Sequence, residues 1–197
     1  MPQFVSLDSP SAIETAERAL QAGKVIVLPT DTVYGLAALP GIEAAVDRLY
    51  LLKGRPEAVP IAVLVGSPEQ VESIAGPLLP EATRLMAALW PGPLTVVVPR
   101  RDGLGTIGVR CPDHDFVRSL ANRVGPIAVT SANRHGEPTP ATAMDAATSL
   151  DGEVELVVVG GPCGGMASTV VDGTDADLPI LRQGPLRREH IVAVALR

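Results

Sequence analysis

Apolar residues recur along this chain at two spacings, and each spacing predicts one kind of element. Short runs that are apolar at consecutive positions favour strands covered on both faces. Runs in which apolar residues return every three or four positions favour helices that bury one side. The predicted strands are KVIVL (24–28), IAVLV (61–65), LTVVVP (94–99), TIGVRCP (106–112), PIAVTSA (126–132), VELVVVG (154–160), STVVD (168–172) and LPILR (178–182).

The predicted helices lie between these strands. Ser11 and Glu14 have the spacing of a capping box, so the first helix is expected to begin there and to end before Gly23. Ser67 and Pro68 have the pattern of an N-cap followed by proline at the first helical position. Helical spacing also marks residues 41–52, 80–90, 115–125 and 189–197, and a short alanine-rich stretch precedes VELVVVG. The order of elements predicts an α/β protein with an open mixed sheet flanked by helices.

Length and composition narrow the class of protein. The chain has 197 residues, of which 46% are hydrophobic, and these values suit one domain over residues 1–197 with no second domain. No apolar run approaches the roughly 18 to 20 residues of a membrane helix, and the amino terminus shows no basic leader followed by an apolar block. We therefore expect a cytoplasmic protein with no membrane partner. The two cysteines lie far apart without CxxC spacing, which predicts reduced thiols and no metal site.

The formal net charge of −6 argues against a protein that coats nucleic acid nonspecifically. Such binding depends on many Lys and Arg side chains that neutralise phosphates. The 16 basic residues nevertheless gather in small groups, so a local basic groove stays open as an interpretation.

Compact hydrogen-bonding side chains follow two of the predicted strands. LPTDTVYGL (28–36) begins at the end of the first strand, and VTSAN (129–133) ends another. Open α/β sheets usually form their ligand crevice at the carboxyl ends of strands, although Thr and Asp also bond their own backbone in turns. Because the same arrangement occurs twice, the sequence favours a cleft shared by both segments. Ser168 adds another hydroxyl near a strand end.

Four cations are expected at the ends of elements. Lys53 and Arg55 belong to KGRP, at the end of a predicted helix, where they would also complement the helix dipole. Arg110 follows an apolar strand and would either pair with a buried acid or hold a ligand carboxylate in its planar fork. Arg182 lies near the end of a later strand. Together with the hydroxyls, these cations predict a site for a small anionic molecule.

Seven motifs give the chain a resemblance to a known family. They are LPTDTVYGL, KGRP, LWPGPLTVVVP, VRCPDH, TSAN, STVVDGT and LRQGP. Their order and spacing, from about residue 12 to 197, resemble the YrdC/Sua5 family of threonylcarbamoyl-AMP synthases, in the single-domain form. The resemblance implies a YrdC-like twisted open sheet with a concave, positively charged ligand cavity.

The resemblance also implies a reaction. L-threonine, bicarbonate or carbon dioxide, and ATP would give L-threonylcarbamoyl-adenylate and pyrophosphate, which makes the enzyme a nucleotidyltransferase. A partner tRNA threonylcarbamoyl transferase complex would move the product onto adenosine 37 of tRNAs that read codons beginning with A, and a direct contact with tRNA is left open. Mg²⁺ is expected with ATP, because the phosphate oxygens need compensating positive charge.

Site residues are carried over from the matching motifs. The resemblance assigns ATP and its phosphates to Lys53, Arg55, Ser131, Asn133 and Arg182. It assigns threonine to Thr30, Arg110, Ser131 and Ser168. Because the carbamate would itself be the nucleophile, catalysis can come from proximity and electrostatics. Lys53 and Arg55 are then electrostatic stabilisers, and no covalent residue or protein metal ligand is assigned.

Three positions depart from the family pattern, and they keep other functions open. Ala37, Leu64 and Ala167 differ from residues that are common in the family, and all three are expected near the amino-acid pocket. One alternative is therefore a paralogue that handles carbamoyl-adenylate. Another is an RNA-binding module of the same fold, although two Phe, two Tyr and one Trp offer few stacking platforms. Whether the glycine-rich segment 160–165 closes as a lid is left open.

Overall fold

A computed structural model describes residues 1–54 and 60–196 of the chain. Within these residues the protein forms a ten-stranded sheet with helices on both faces. The strands are β1 (Gln3–Ser6), β2 (Ile26–Leu28), β3 (Gly35–Ala38), β4 (Ala62–Leu64), β5 (Leu94–Pro99), β6 (Thr106–Arg110), β7 (Ile127–Ser131), β8 (Leu156–Val159), β9 (Thr169–Asp172) and β10 (Ile180–Arg182). The helices are α1 (Ala12–Gln21), α2 (Glu43–Lys53), α3 (Pro80–Leu89), α4 (Asp115–Val124), α5 (Ala143–Thr148) and α6 (Arg188–Ala195), with a 3₁₀ helix at Pro68–Ser73.

The strand order is β1-β8-β2-β3-β7-β4-β6-β5-β9-β10. Parallel pairs join β1 to β8, β2 to β8, β4 to β6 and β5 to β9. Antiparallel pairs join β2 to β3, β3 to β7, β4 to β7, β5 to β6 and β9 to β10. The predicted mixed α/β sheet is therefore confirmed.

The helices cover the two faces of the sheet unequally. On one face, α2 and α5 pack over β2, β3 and β8, while α3 and α6 pack beside β5 and β6. On the other face, α1 and α4 contact each other and bury β2 and β8. Across β4, β5, β6 and β9 this second face lines a cavity instead. The concave cavity that the family resemblance implied lies at this place.

Two strands of the sheet are missing from the sequence prediction. β1 is a largely exposed strand next to β8, so it lacks the apolar run that marks a buried strand. β3 has the sequence GLAA and is buried at all four positions. Glycine and alanine favour strands poorly, and backbone pairing with β2 and β7 fixes β3 here. Tertiary pairing thus overrides a weak local preference.

The expected helix caps are wrong in detail. Ser11 precedes α1, but its hydroxyl makes no bond to the helix and lies 3.1 Å from the hydroxyl oxygen of Ser9. The hydroxyl of Ser67 makes no cap bond either, and the helix after it is 3₁₀. The Gln70 side chain bonds the backbone in this turn, since its Oε1 accepts from the Gly66 N–H at 2.9 Å. This bond reaches back to the residue before the N-cap, so it differs from the hydroxyl cap that the pattern predicted.

None of the helices in the described part of the chain has the length and apolar character that crossing a lipid bilayer requires.

Candidate functional site

A cavity of about 470 Å³ lies on the sheet face that α1 and α4 leave uncovered. Its apolar lining includes Ala62, Leu64, Val97, Gly108, Val129 and Val170. Its polar lining consists of Thr30, Thr32, Thr95, Arg110, Thr130, Ser131, Ser168 and Arg182. Small residues keep the floor deep, because a Cβ on Gly108 would lie 3.2 Å from Thr95 Cγ2 and 3.4 Å from Ala62 Cβ.

Arg110 is the buried cation of this cavity. It ends β6 and is 6% exposed. Its Nε donates to the Gly92 carbonyl at 3.0 Å, its Nη1 to Thr32 Oγ1 at 2.7 Å, and its Nη2 to Asp31 Oδ1 at 2.5 Å. Burial lowers the pKa of Arg110, and the Asp31 carboxylate opposes that shift. The sequence left a buried acid and a ligand carboxylate as alternatives, and the structure supplies the acid.

Thr30 organises the turn that carries Asp31 and Thr32. The Thr30 hydroxyl donates to the Val33 carbonyl at 2.7 Å and accepts from the backbone N–H groups of Thr32 and Val33 at 3.1 Å each. Its oxygen also lies 3.0 Å from Thr32 Oγ1. The hydroxyl is therefore occupied by its own turn, although it lies in the cavity wall.

Lys53 connects the end of α2 to the end of β7. Its side chain is buried, and Nζ lies within 3.1 Å of four acceptors. They are the carbonyl and Oγ of Ser131 and the carbonyl and Oδ1 of Asn133. Neither Lys53 nor Asn133 is among the described residues that line the cavity, but Ser131 is. The ammonium thus fixes the backbone that presents Ser131.

Ser168, Thr95 and Arg182 form a second polar cluster in the cavity wall. The hydroxyl oxygens of Ser168 and Thr95 lie 2.8 Å apart. Arg182 Nη2 donates to the carbonyl and to Oγ of Ser168, both at 3.0 Å. Thr95 was not proposed from the sequence, because it lies inside an apolar strand rather than at its end. Its position opposite Val170 in the β5–β9 register brings it beside Ser168.

The structure brings most of the predicted site residues together. Thr30, Arg110, Ser131, Ser168 and Arg182 all line the cavity. Lys53 and Asn133 reach it through their contacts with Ser131. The prediction for Arg55 lies outside the described residues.

The three departures from the family pattern occupy different places. Leu64 and Ala167 line the cavity, as expected. Ala37 is fully buried in β3 and packs in the core beneath α1 and α4, so its placement near the amino-acid pocket is not what the structure shows. In the sheet it pairs with Ile26 of β2 and Val129 of β7.

The glycine-rich segment 160–165 is bonded to the turn below it. Tyr34 Oη donates to the Gly161 carbonyl at 2.6 Å and accepts from the Gly160 N–H at 3.2 Å. The Gly165 N–H donates to the Thr32 carbonyl at 3.0 Å. The segment therefore contacts the same turn that holds Asp31 and Thr32.

A metal ion would have to find ligands outside an acidic cluster. Residues 1–54 and 60–196 contain no group of three or more His, Cys, Asp or Glu side chains that could hold one. Asp31, the carboxylate beside the cavity wall, is bonded to Arg110. Mg²⁺ commonly binds proteins through substrate phosphates, and the cavity lining offers hydroxyl oxygens beside the guanidinium groups of Arg110 and Arg182.

Comparisons with known proteins agree on one family. The chain matches the Sua5/YciO/YrdC family model, whose description is "Telomere recombination", over residues 18–184. It is 39% identical over 194 residues to the threonylcarbamoyl-AMP synthase of Bacillus subtilis (strain 168), covering 92% of this chain and 56% of that protein.

Two solved structures share the fold over nearly the whole chain. Pyrococcus abyssi Sua5, complexed with L-threonine, has a TM-score of 0.91 and 36% identity, covering 98% of this chain and 60% of that one. Escherichia coli YciO has a TM-score of 0.87 and 26% identity, covering 97% and 100% respectively. The chain thus spans 56% of the Bacillus subtilis protein and 60% of the Pyrococcus abyssi protein. Because the family model matches most of its residues, the chain belongs to the Sua5/YciO/YrdC family.

Proposed function

We propose that this chain is a threonylcarbamoyl-AMP synthase, a nucleotidyltransferase that uses ATP, L-threonine and bicarbonate or carbon dioxide. The observation that carries the proposal is the cavity with Arg110 in its wall, flanked by the hydroxyls of Ser131 and Ser168. A relative of that name in Bacillus subtilis and the threonine complex of Pyrococcus abyssi Sua5 support it.

The chemistry needs positioning and charge more than a reactive side chain. The threonine amine adds to carbon dioxide and loses a proton, which gives a carbamate. A carbamate oxygen then bonds to the α-phosphorus of ATP while the bond from that phosphorus to the bridging oxygen of pyrophosphate breaks. Both ligands must be held in line, so proximity and preorganised charge supply the acceleration.

We assign the residues as follows. Arg110 holds the threonine carboxylate, with Ser131 and Ser168 beside it and Thr30 shaping the wall. Arg182 and Arg55 are assigned to the phosphates, and Lys53 supports that side by fixing Ser131 and Asn133. Mg²⁺ bound with ATP would neutralise part of the phosphate charge. We propose further that a tRNA threonylcarbamoyl transferase in the cytoplasm consumes the product for tRNA modification at adenosine 37.

The proposal is tested by incubating the purified chain with ATP, Mg²⁺, bicarbonate and labelled L-threonine. We expect pyrophosphate release that depends on threonine, together with a labelled adenylate. Arg110→Lys keeps the charge but loses the planar fork, so it should raise the threonine KM about tenfold or more, the effect of losing one charged hydrogen bond. The control Arg101→Lys changes an arginine of the β5–β6 connection and should leave both KM values near wild type.

Other outcomes would replace the proposal. Pyrophosphate release that ignores threonine would favour a paralogue that handles carbamoyl-adenylate. No ATP turnover, together with tight retention of RNA, would favour a binding module of the same fold.

A further inference from the structure

The ion pair between Asp31 and Arg110 differs in burial from the other ion pairs of the described chain. Its side chains are 14% and 7% exposed. In each of the other pairs among the described residues, at least one side chain is 42% exposed or more. A buried pair is costly to desolvate and adds little stability compared with apolar packing. Its place beside the cavity therefore calls for a functional reason.

The hydrogen bonds of Arg110 to other described residues use only some of its N–H groups. A guanidinium has five N–H groups, and the contacts with Gly92, Thr32 and Asp31 use three of them. One N–H on Nη1 and one on Nη2 have no partner among the described residues. Two N–H groups on the terminal nitrogens match the two oxygens of a carboxylate.

Hydrogen bonds stabilise the backbone turn that carries Asp31. The Thr30 hydroxyl accepts from the backbone N–H groups on either side of the Thr32 carbonyl, at Thr32 and Val33. This turn directs the Asp31 carboxylate and the Thr32 hydroxyl to different terminal nitrogens of Arg110. Asp31 is not among the described residues that line the cavity, whereas its partner Arg110 is.

We propose that Asp31 is a positioning residue, which locks the Arg110 guanidinium so that its two remaining N–H groups receive the carboxylate of the amino-acid substrate. This inference rests on the proposed function for the identity of that substrate. A long arginine side chain loses rotamer freedom when it binds a ligand. Fixing the guanidinium beforehand removes that cost from the binding step, so Asp31 acts on amino-acid affinity rather than on the chemical step.

Two substitutions test whether Asp31 acts as the hydrogen-bond acceptor for Arg110. Asp31→Ala removes the acceptor for Nη2, whereas Asp31→Asn keeps an oxygen that can still accept from it. We expect Asp31→Ala to raise the threonine KM about tenfold, the equivalent of one hydrogen bond to a charged group, with the ATP KM within about twofold of wild type. Asp31→Asn should recover most of that loss. The control Asp102→Ala removes the acceptor of an exposed pair with Arg100 in the connection between β5 and β6 and should change neither KM.

A second measurement does not depend on turnover. In ¹⁵N spectra of arginine side chains, a locked guanidinium gives separate signals for its terminal N–H groups. Arg110→Lys assigns them. We expect these signals in the wild type and in Asp31→Asn, and their collapse in Asp31→Ala.

The outcomes distinguish the two proposals. The signals could be lost in Asp31→Ala while the wild-type protein shows no threonine-dependent activity. That combination would uphold the locking of Arg110 by Asp31 and reject the proposed function. Unchanged signals, or a threonine KM in Asp31→Ala at or below the wild-type value, would overturn the positioning role. Equal losses for ATP and threonine with a lowered melting temperature would also overturn it, because they would make Asp31 a structural residue only.

Discussion

At the scale of single residues, His114 has a buried ring nitrogen, Nδ1. Its Nδ1 makes no hydrogen bond within the described part of the chain. Burial lowers the pKa of His114, and the nearby Asp31 carboxylate offsets only part of that shift. The folded protein therefore binds this proton less readily than the unfolded chain, whose histidine pKa is about 6.5. The stability linked to His114 is fully present above that pKa and is lost as the pH falls through it toward the folded value.

His114→Phe should remove this pH dependence, since a phenyl ring of similar shape cannot be protonated. Urea unfolding at pH 7.5, 6.5 and 5.5 measures it, with an upper limit of about 1.4 kcal/mol per pH unit for one proton. We expect the wild type to lose more stability than His114→Phe between pH 6.5 and 5.5. The control is His135→Phe, at an exposed position. Parallel pH profiles for wild type and His114→Phe would contradict the assignment.

The sequence identifies the chemical groups of the site better than their pairings. Arg110 could be seen to need either an acid or a ligand, because a buried guanidinium demands a partner. That the acid is Asp31, 79 positions away, is not visible locally, because three strands separate β2 from β6 in the sheet and the turn after β2 meets Arg110 only in the folded protein. Thr95 was missed for the same reason, since its partner Ser168 lies 73 positions away. Local patterns cannot specify contacts that only the strand order creates.

At the scale of elements, Lys53 joins the end of α2 to the end of β7. Its ammonium donates to the backbone carbonyls of Ser131, which is the last paired residue of β7, and of Asn133, two residues further on. The resemblance assigned Lys53 to the phosphates, whereas its contacts also make it a clamp between two elements. The two roles predict different consequences when the charge is removed.

Lys53→Met should lower the free energy of unfolding by about 1–3 kcal/mol, because buried acceptors lose their donor. Since the clamp presents Ser131 to the cavity, the KM values for both ATP and threonine should rise together. Urea unfolding and steady-state kinetics measure the two effects. Lys24→Met, at an exposed ion pair with Glu155, is the matched control. A rise in the ATP KM alone, at unchanged stability, would instead show direct phosphate binding.

The strands that the sequence predicts correctly contain runs of large apolar residues. Strands such as β5 and β8 are rich in Val and Leu and bury most of their positions, so their apolar runs are visible locally. β3 has one large apolar residue, Leu36, among Gly and Ala, and a Cβ on Gly35 would lie 2.7 Å from Val129 Cγ2. This strand depends on close backbone approach to β7, which no propensity encodes.

At the scale of the whole molecule, the cavity exists because none of the helices in the described part of the chain covers one portion of one sheet face. The opposite face is packed against α2, α3, α5 and α6. An apolar sheet surface that is exposed to water is unfavourable. A ligand bound in the cavity would remove part of that surface from water. The small residues at its floor then determine how much volume a ligand has.

Gly108→Leu tests this directly, because its new side chain would begin at the cavity floor. The Cβ would sit 3.2 Å from Thr95 Cγ2, which requires a small adjustment, and the remaining atoms would extend into the cavity. We expect unfolding free energy within about 1 kcal/mol of wild type, since replacing a strand glycine also reduces the entropy of the unfolded chain. Binding of threonine and ATP, measured by calorimetry, should weaken at least about tenfold. Gly41→Leu is the control, because a Cβ there meets nothing within 4 Å. Undiminished binding by a stable Gly108→Leu protein would place the ligands elsewhere on the molecule.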